Sequence, residues 1–122
     1  MRKVKNRSLK GKKLEKGFSK ILQRFFGSAR TELKPRIINL PKDFWGLFDG
    51  LTFIKSKRKF IFWQIKGKKL TKKEISDFWK KAKIFGNKKI LILLIEKNNK
   101  EWKIFVNEKK YYNNLSSLKD II

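Results

Sequence analysis

The sequence predicts an α/β fold in which a small mixed β-sheet is flanked by helices. Two stretches with helical apolar spacing alternate with short strand-like runs, and residues 90–95 (ILILLI) are apolar throughout, which is typical of a strand buried on both faces. With 122 residues, the chain is long enough for one modest core. We therefore expect residues 1–122 to form a single domain.

An apolar stripe predicts the first helix. Its members recur at helical spacing and are Leu14, Phe18, Ile21, Leu22 and Phe25. Gly27 is a natural helix stop, and Glu15 lies on the flank of the stripe that faces the core. Residues 1–13 contain seven Lys or Arg and no acidic residue, so we expect a basic N-terminal arm that leads into this helix.

Residues 28–46 show no convincing period. Pro35 and Pro41 favour extended or looped backbone in this segment. Residues 36–40 are a candidate for a short edge strand, and the remainder is expected to be irregular.

Two strand-like runs joined by a polar turn at residues 56–57 predict an antiparallel hairpin. The runs are residues 46–55 and 58–66. A two-residue turn places Asp49 opposite Gln64, and a four-residue turn places Asp49 opposite Lys66. A three-residue turn separates them, because a slip of one residue moves every side chain to the other face. Two of these three registers bring the three side chains to one end of the hairpin.

A capping box, Thr71-Lys-Lys-Glu74, predicts the start of the second helix. The inward positions of this helix are Ile75, Phe78, Trp79, Ala82 and Phe85, and Gly86-Asn87 ends it. The connection from the hairpin through this helix to residues 90–95 is expected to be a right-handed crossover between parallel strands.

The remaining elements follow from turn and apolar signals. Asn98-Asn99 predicts a turn into a further strand at residues 101–106. A short C-terminal helix or tail is expected to pack on the domain through Leu115, Leu118, Ile121 and Ile122.

Charge is the strongest compositional signal. The chain has 34 Lys and Arg against 10 Asp and Glu, a formal net charge of +24, although 40% of its residues are hydrophobic. A folded domain this positive binds polyphosphate chains through counterion release, so a nucleic acid is the expected partner. The absence of Cys and His excludes disulfides, Cys or His metal sites and a histidine general base. Any metal is expected to be a hard cation held by oxygens, Mg²⁺ or Mn²⁺.

The apolar segments are short. The longest run, residues 90–95, is far below the length that spans a bilayer, and the basic N-terminus lacks the apolar segment of a signal peptide. We expect no membrane association and a cytoplasmic location.

The polar end of the hairpin has the chemistry of a metal-dependent hydrolase. The Asp49 carboxylate, the Gln64 amide oxygen and the Ile65 carbonyl are suitable ligands for a hard divalent cation. Lys66 is suited to position an attacking water or to neutralise developing negative charge, and Glu15 from the first helix would complete the site. The alternative is that Asp49 caps a turn while Gln64 and Lys66 are solvated residues at a strand end.

Other side chains are candidates for binding nucleic acid. Phe44, Trp45 and Phe48 precede Asp49 and either stack on unpaired bases or pack in the core, and core packing is the favoured interpretation. Phosphate contacts are expected from basic residues of the arm and of the segment that follows the hairpin. These are Arg2, Lys3, Lys5, Arg7, Lys10, Lys12, Lys13, Arg30, Lys68, Lys69 and Lys72.

The order of these motifs is similar to that of a known superfamily. The matching positions are Lys10-Gly11, Glu15, Asp49, Gln64-Ile65-Lys66, residues 83–87 (KIFGN) and residues 102–104 (WKI). This arrangement resembles the PD-(D/E)XK nuclease superfamily and, within it, the archaeal-type Holliday junction resolvases. The resemblance extends over about residues 10–106.

The resemblance implies a restriction-endonuclease-like αβββαβ core. It also implies a Mg²⁺-dependent endodeoxyribonuclease, for which Mn²⁺ substitutes, acting as a symmetric homodimer on branched DNA in recombination and repair. Glu15, Asp49, Gln64 and Lys66 are then catalytic, and the metal ligands are Glu15, Asp49, Gln64 and Ile65.

Three departures from the family pattern are present. Gln64 replaces the family's Glu and so keeps an oxygen ligand but loses a charge, Trp45-Gly46 stand where resolvases have Ser, and a longer segment before Asp49 adds Asp43. One alternative is therefore a nucleic-acid-binding module of the same fold with a weakened or lost catalytic site. Another is a basic RNA-binding protein of a different fold, in which the hairpin residues lie far apart.

Overall fold

The structure, a computed structural model, describes the backbone of residues 2–34, 44–45 and 47–122, and the side chains of these residues from Lys12 onward. Within this part the chain is mixed α/β, as expected. Six strands form one sheet in chain order: β1 (Ala29–Leu33), β2 (Gly50–Ile54), β3 (Lys59–Lys66), β4 (Ile90–Asn98), β5 (Glu101–Phe105) and β6 (Tyr111–Tyr112). The helices are α1 (Arg2–Phe25), α2 (Lys72–Ala82) and α3 (Leu118–Ile121).

The apolar stripe of α1 packs on the sheet as predicted. Phe18 and Leu22 are completely buried, and Leu14, Ile21 and Phe25 pack around them. The helix begins at Arg2, so the backbone of residues 2–13 is part of α1 and not a separate arm before it. The side chains of that first part lie outside the described residues.

Strand β1 was not expected. It occupies Ala29–Leu33, within the segment for which the sequence shows no period, and pairs antiparallel with β2. Its apolar residues are small or widely spaced, and its exposed positions carry Arg30 and Glu32, so the alternation is weak. The edge strand predicted at residues 36–40 lies outside the described residues, as does Asp43.

The β2–β3 hairpin has the register of the two-residue turn. Gly50 pairs with Trp63 and Ile54 pairs with Lys59. The regular pairing ends at Gly50, and the Asp49 N–H donates to the Trp63 carbonyl and not to Gln64. Strand β4 then pairs parallel with β3, as predicted for strands connected through a helix.

The capping box at the start of α2 is confirmed. Thr71 Oγ1 accepts a hydrogen bond from the Glu74 backbone N–H, and the Glu74 carboxylate accepts one from the Thr71 N–H. The helix continues into a 3₁₀ turn (Lys83–Phe85) before Gly86. The predicted turn before β5 is also present, and Asn99 there has a left-handed φ of 59°.

Each face of the sheet has its own apolar cluster. The α1-side core lies between the sheet, α1 and the C-terminal residues, and its buried members include Phe18, Leu22, Ile61, Trp63, Ile95 and Leu118. The α2-side core lies between the sheet and α2, and its buried members include Phe48, Phe62, Phe78, Ala82, Ile92 and Leu94. The burial of Leu118 and Ile122 confirms that the C-terminal residues pack on the domain. In the described part of the chain, no helix combines the length and apolarity that crossing a membrane requires.

Candidate active site

Asp49 lies at the point where the chain enters β2. Only 2% of its surface is exposed. Its backbone N–H donates to the Trp63 carbonyl at 2.9 Å, and its Oδ2 accepts a hydrogen bond from the Ile65 N–H at 2.8 Å. The carboxylate is therefore held against the backbone of β3 at the residue between Gln64 and Lys66.

Lys34 joins the Asp49 carboxylate to that of Glu15. The Lys34 Nζ donates to Asp49 Oδ1 at 2.7 Å and lies 3.4 Å from Glu15 Oε2. The backbone of Lys34 also donates to the Asp49 carbonyl at 2.9 Å, which fixes the end of β1 beside the start of β2. Glu15, on the core-facing flank of α1 as predicted, is 4% exposed. One ammonium group thus lies between two buried carboxylates from different elements.

Gln64 and Lys66 lie toward the other face of the sheet. The Gln64 Nε2 donates to the Leu47 carbonyl at 2.8 Å. Both side chains line a groove beside α2, whose other lining residues include Glu74, Asp77 and Lys81. Within the described residues, neither side chain hydrogen-bonds to the Asp49 carboxylate. The predicted residues therefore share one end of the hairpin but form two groups, Glu15 with Asp49 and Gln64 with Lys66.

Two charged residues at this end were not identified from the sequence. Lys34 was assigned to an irregular segment, and its position depends on the pairing of β1 with β2. Glu96 lies opposite Lys66 on β4 and is 4% exposed, and its Oε1 accepts a hydrogen bond from the Leu70 N–H at 2.8 Å. An available signal was that Glu96 directly ends the apolar run of β4, where a charge is costly unless it is paired.

The loop that follows β3 carries a charged network. Lys68 Nζ lies 3.0 Å from Glu74 Oε2, while Glu74 Oε1 accepts from the Thr71 N–H. The hydrogen bond from Lys68, followed by that from the Thr71 backbone, lowers the pKa of Glu74 from its ordinary value. The Lys68 side chain, expected to contact phosphate, therefore has a carboxylate partner. Lys69 and Lys72 are exposed, and neither has a carboxylate partner among the described residues.

The other predicted nucleic-acid contacts are distributed over α1 and β1. Lys12 and Lys13 are exposed on α1, and Arg30 is exposed on β1. The remaining residues of this group lie on the first turns of α1, where only the backbone is described: Arg2, Lys3, Lys5, Arg7 and Lys10.

The aromatic residues before Asp49 differ in burial. Phe48 is completely buried, as core packing predicts, and Phe44 is partly buried. Trp45 is 62% exposed, so core packing is the wrong interpretation for this residue. Trp63 is fully buried, as expected for a core residue.

The donor set at Asp49 is compatible with a hard cation. The Glu15 and Asp49 carboxylates both lie close to the ammonium of Lys34. Carboxylate oxygens are suitable ligands for Mg²⁺ or Mn²⁺. Among the residues that the structure describes, no group of three acidic side chains is clustered to hold a metal. A divalent ion at this position would therefore replace the ammonium of Lys34 and draw further ligands from backbone or water.

Comparison of the chain with family models, with curated protein sequences and with solved structures gives no significant match. Functional inference therefore depends on the geometry of the site and on the sequence motifs.

Proposed function

We propose that this protein is a metal-dependent, structure-selective DNA endonuclease that resembles the Holliday junction resolvases. The observation that carries the proposal is the pair of buried carboxylates, Glu15 and Asp49, held on one cation beside the strand that bears Gln64, Ile65 and Lys66. Burying two carboxylates is costly unless a cation compensates them, and such sites are concentrated where proteins carry out chemistry.

The order of elements supports the same proposal. A helix, three antiparallel strands, a second helix and a strand parallel to the third occur in succession. This is the αβββαβ order of the restriction-endonuclease-like core that the motifs imply. An RNA-binding protein of another fold required Asp49, Gln64 and Lys66 to lie far apart. Asp49 contacts the backbone of Ile65, between the other two residues, at 2.8 Å, although the Gln64 and Lys66 side chains form a separate group.

In the proposed reaction, Glu15 and Asp49 would hold the divalent cation. The N–H and C=O of one strand residue face the same neighbour, so the Ile65 carbonyl faces the edge of β3 that Asp49 contacts and is a further ligand. Bound Mg²⁺ supplies an acidified water and charge stabilisation at a phosphoryl oxygen. Gln64 is the proposed amide-oxygen ligand, and Lys66 is proposed to orient the attacking water or to stabilise the developing negative charge. Both side chains line the groove beside α2, so these roles would require them to turn toward Asp49.

The charge of the domain supports a DNA substrate. With a net charge of +24, the protein attracts phosphodiester backbones over its whole surface. The exposed cations Lys12, Lys13, Arg30, Lys69 and Lys72 are the proposed phosphate contacts. We further propose that a homodimer acts in the cytoplasm on branched DNA, because a symmetric dimer presents two sites to two strands.

The test is a cleavage assay on a four-way junction, a flap, a single strand and a linear duplex, each with Mg²⁺ or Mn²⁺. We expect nicking of branched DNA, lost by at least about 100-fold in Asp49→Asn and Lys66→Met because each removes transition-state stabilisation. Asp120→Asn and Lys109→Met are the matched controls, since both residues are exposed on other elements. Junction binding without cleavage in either metal would rule out the nuclease.

A nucleic-acid-binding module is a second candidate, and two observations favour it. The Lys34 ammonium occupies the position between the carboxylates, and Gln64 brings no charge to the site. This candidate predicts that the natural chain binds but does not cut, and that Gln64→Glu combined with Lys34→Met creates cleavage. The nuclease predicts cleavage by the natural chain under the same conditions, so one assay separates the two.

A further inference from the structure

Among the residues that the structure describes, no helix covers the α2-side face of the sheet over β1 and β2. Helix α1 lies against β1, β2 and β3 on the opposite face, whereas α2 lies against β4. The uncovered part is a groove of about 430 Å³ lined mainly by apolar side chains, and we refer to it as the aromatic groove. Its rings belong to Trp45, Phe53, Phe60 and Phe62.

Two of these rings are exposed to a degree that is unusual for large aromatic residues. Trp45 is 62% exposed and Phe60 is 44% exposed. The Phe60 ring lies 4.8 Å from that of Phe53, and the Trp45 ring lies 5.6 Å from that of Phe62. The Phe53 and Phe62 rings therefore pack against the rings of Phe60 and Trp45, and much of the Phe60 and Trp45 rings stays accessible to solvent.

The backbone holds Trp45 in this exposed position. The backbone N–H of Phe44 donates to the Phe48 carbonyl at 2.9 Å, and the N–H of Phe48 donates to the Phe44 carbonyl at 3.1 Å. These bonds close a tight turn that includes Trp45. Trp45 has a φ of 53°, in the left-handed region that bulky residues rarely adopt. Such strain persists only where the surroundings impose it, and it is concentrated at binding sites. The turn directly precedes Asp49 in the chain, which links the groove to the candidate active site in sequence.

We propose that the aromatic groove binds unpaired nucleobases by stacking them on Trp45 and Phe60. This inference rests on the proposed function and deepens it, because it assigns single-stranded or unpaired DNA as the feature that the domain recognises. Every base has a π-face that stacks on an aromatic ring without requiring a particular sequence.

Charge favours a nucleic acid over a second copy of the chain as the occupant. The hairpin turn that separates Phe53 from Phe60 carries the exposed residues Lys55, Lys57 and Arg58, and Arg30 lies at the rim of the groove beside a single acidic residue, Glu32. These cations attract the phosphates on either side of a stacked base. Two copies with a charge of +24 each repel one another when these faces meet.

The experiment measures DNA binding without metal, so that its result does not depend on cleavage. Fluorescence anisotropy with EDTA compares a labelled oligo-dT strand with a duplex of equal length. We expect Trp45→Ala to weaken single-strand binding by about 5- to 100-fold, the range for one lost base–aromatic stack. We expect duplex binding to change less than about twofold and the salt dependence to stay the same, because no phosphate contact is removed.

The matched control is Tyr111→Ala, which removes another aromatic ring that is 44% exposed, at the far side of the sheet. It is expected to leave single-strand binding unchanged. Phe60→Ala is a second test that does not alter the turn at Trp45, and it is expected to act in the same direction.

Three results would overturn the proposal. These are equal losses on single strand and duplex, unchanged binding in both groove variants, and conversion of a dimer to a monomer by Trp45→Ala in light scattering, which would identify a copy–copy interface. Metal-free binding and metal-dependent cleavage are measured separately. If the groove variants bind single strands normally while the natural chain cleaves DNA, the stacking proposal fails and the proposed function stands. If the groove variants lose single-strand binding while the natural chain does not cleave, the proposed function fails and the stacking proposal stands.

Discussion

Trp63 and Trp45, on opposite faces of the sheet, lie in opposite environments. On the α1 side, the Trp63 ring is completely buried, contacts the Phe18 ring edge-on at 4.9 Å, and donates its indole N–H to Thr52 Oγ1 at 3.0 Å. On the α2 side, Trp45 lies at the edge of the area that α2 covers and is 62% exposed. The same residue type is a core anchor on one face and a surface group on the other.

This difference separates the parts of the domain that carry stability from those available for binding. A buried ring with a satisfied N–H contributes its full apolar surface to folding. The exposed Trp45 ring contributes little to folding, and its residue lies in a strained turn that directly precedes Asp49 in the chain. We conclude that apolar cores on both faces stabilise the sheet, whereas the exposed rings of Trp45 and Phe60 contribute little to that stability.

The largest expected effect comes from Trp63→Ala. Removal of this ring leaves a cavity beside Phe18 and takes one hydrogen-bond partner from Thr52 Oγ1, which keeps Thr31 Oγ1 at 2.7 Å. The free energy of unfolding is therefore expected to fall by about 3–5 kcal/mol, chiefly through the cavity. Urea unfolding of this variant and of Trp45→Ala is the measurement, and Trp45→Ala is expected to lose about 0.5 kcal/mol or less. Equal losses would remove the distinction between the two faces.

Gly50→Ala tests how closely the α1-side core is packed. A Cβ at Gly50 would collide with the indole ring of Trp63. Because that ring is fully enclosed, we expect the free energy of unfolding to fall by about 1–3 kcal/mol.

Gly17→Ala is the control for that prediction, since a Cβ at this position of α1 meets no atom within 4 Å. It is expected to stabilise the protein by about 0.5–1 kcal/mol, because alanine favours the helix interior. If both variants shift the unfolding midpoint in the same direction, the packing argument at Gly50 fails.

Thr71→Ala addresses the helix that covers the α2 side. It removes the side-chain acceptor for the Glu74 N–H, which lies 3.1 Å from Thr71 Oγ1. We expect a loss of about 1 kcal/mol in thermal or urea unfolding, and Thr71→Ser, which keeps the hydroxyl, is expected to recover most of it. A full loss in the serine variant would show that the methyl group, and not the cap, is responsible.

The smallest expected effect concerns Lys68. Because its ammonium is the main cause of the lowered pKa of Glu74, Lys68→Ala is expected to raise that pKa toward its ordinary value of 4.5. A lowered carboxyl pKa stabilises the folded state above the pKa of the unfolded chain, and the contribution disappears as the pH falls through the folded value. The variant therefore loses less stability on acidification than the natural chain.

An NMR titration of the Glu74 carboxyl measures this pKa directly. Lys69→Ala is the control, because Lys69 is an exposed neighbour that is not among the causes of the shift. An unchanged Glu74 titration in Lys68→Ala would contradict the ion pair.

Much of the fold was predictable because its signals are local. The stripe of α1, the capping box of α2 and the apolar run of β4 each follow from periodicity or from hydrogen bonds within a few residues. The hairpin register was one of three alternatives, and the sequence could not choose among them because turn length is set by backbone geometry. Strand β1 was missed because an edge strand with Ala29, Thr31 and Leu33 on its inner face buries little apolar surface.

The site was predictable only in part, because its contacts join residues that are distant in the chain. The burial of Glu15 followed from its place on a helical stripe, and the proximity of Asp49 to β3 followed from the hairpin. The position of Lys34 depends on the pairing of β1 with β2, and that of Glu96 depends on the parallel register of β3 and β4. No local sequence pattern indicates the position of Lys34 or that of Glu96.

The ammonium of Lys34 also affects how the protein is expected to fold and be handled. Two carboxylates facing each other without a counter-ion repel one another, and a protein with such a site depends on its metal to stay folded. Here the counter-ion is covalently part of the chain, 2.7 Å from Asp49 and 3.4 Å from Glu15. The domain is therefore expected to fold without a divalent ion and to stay folded in chelating buffers.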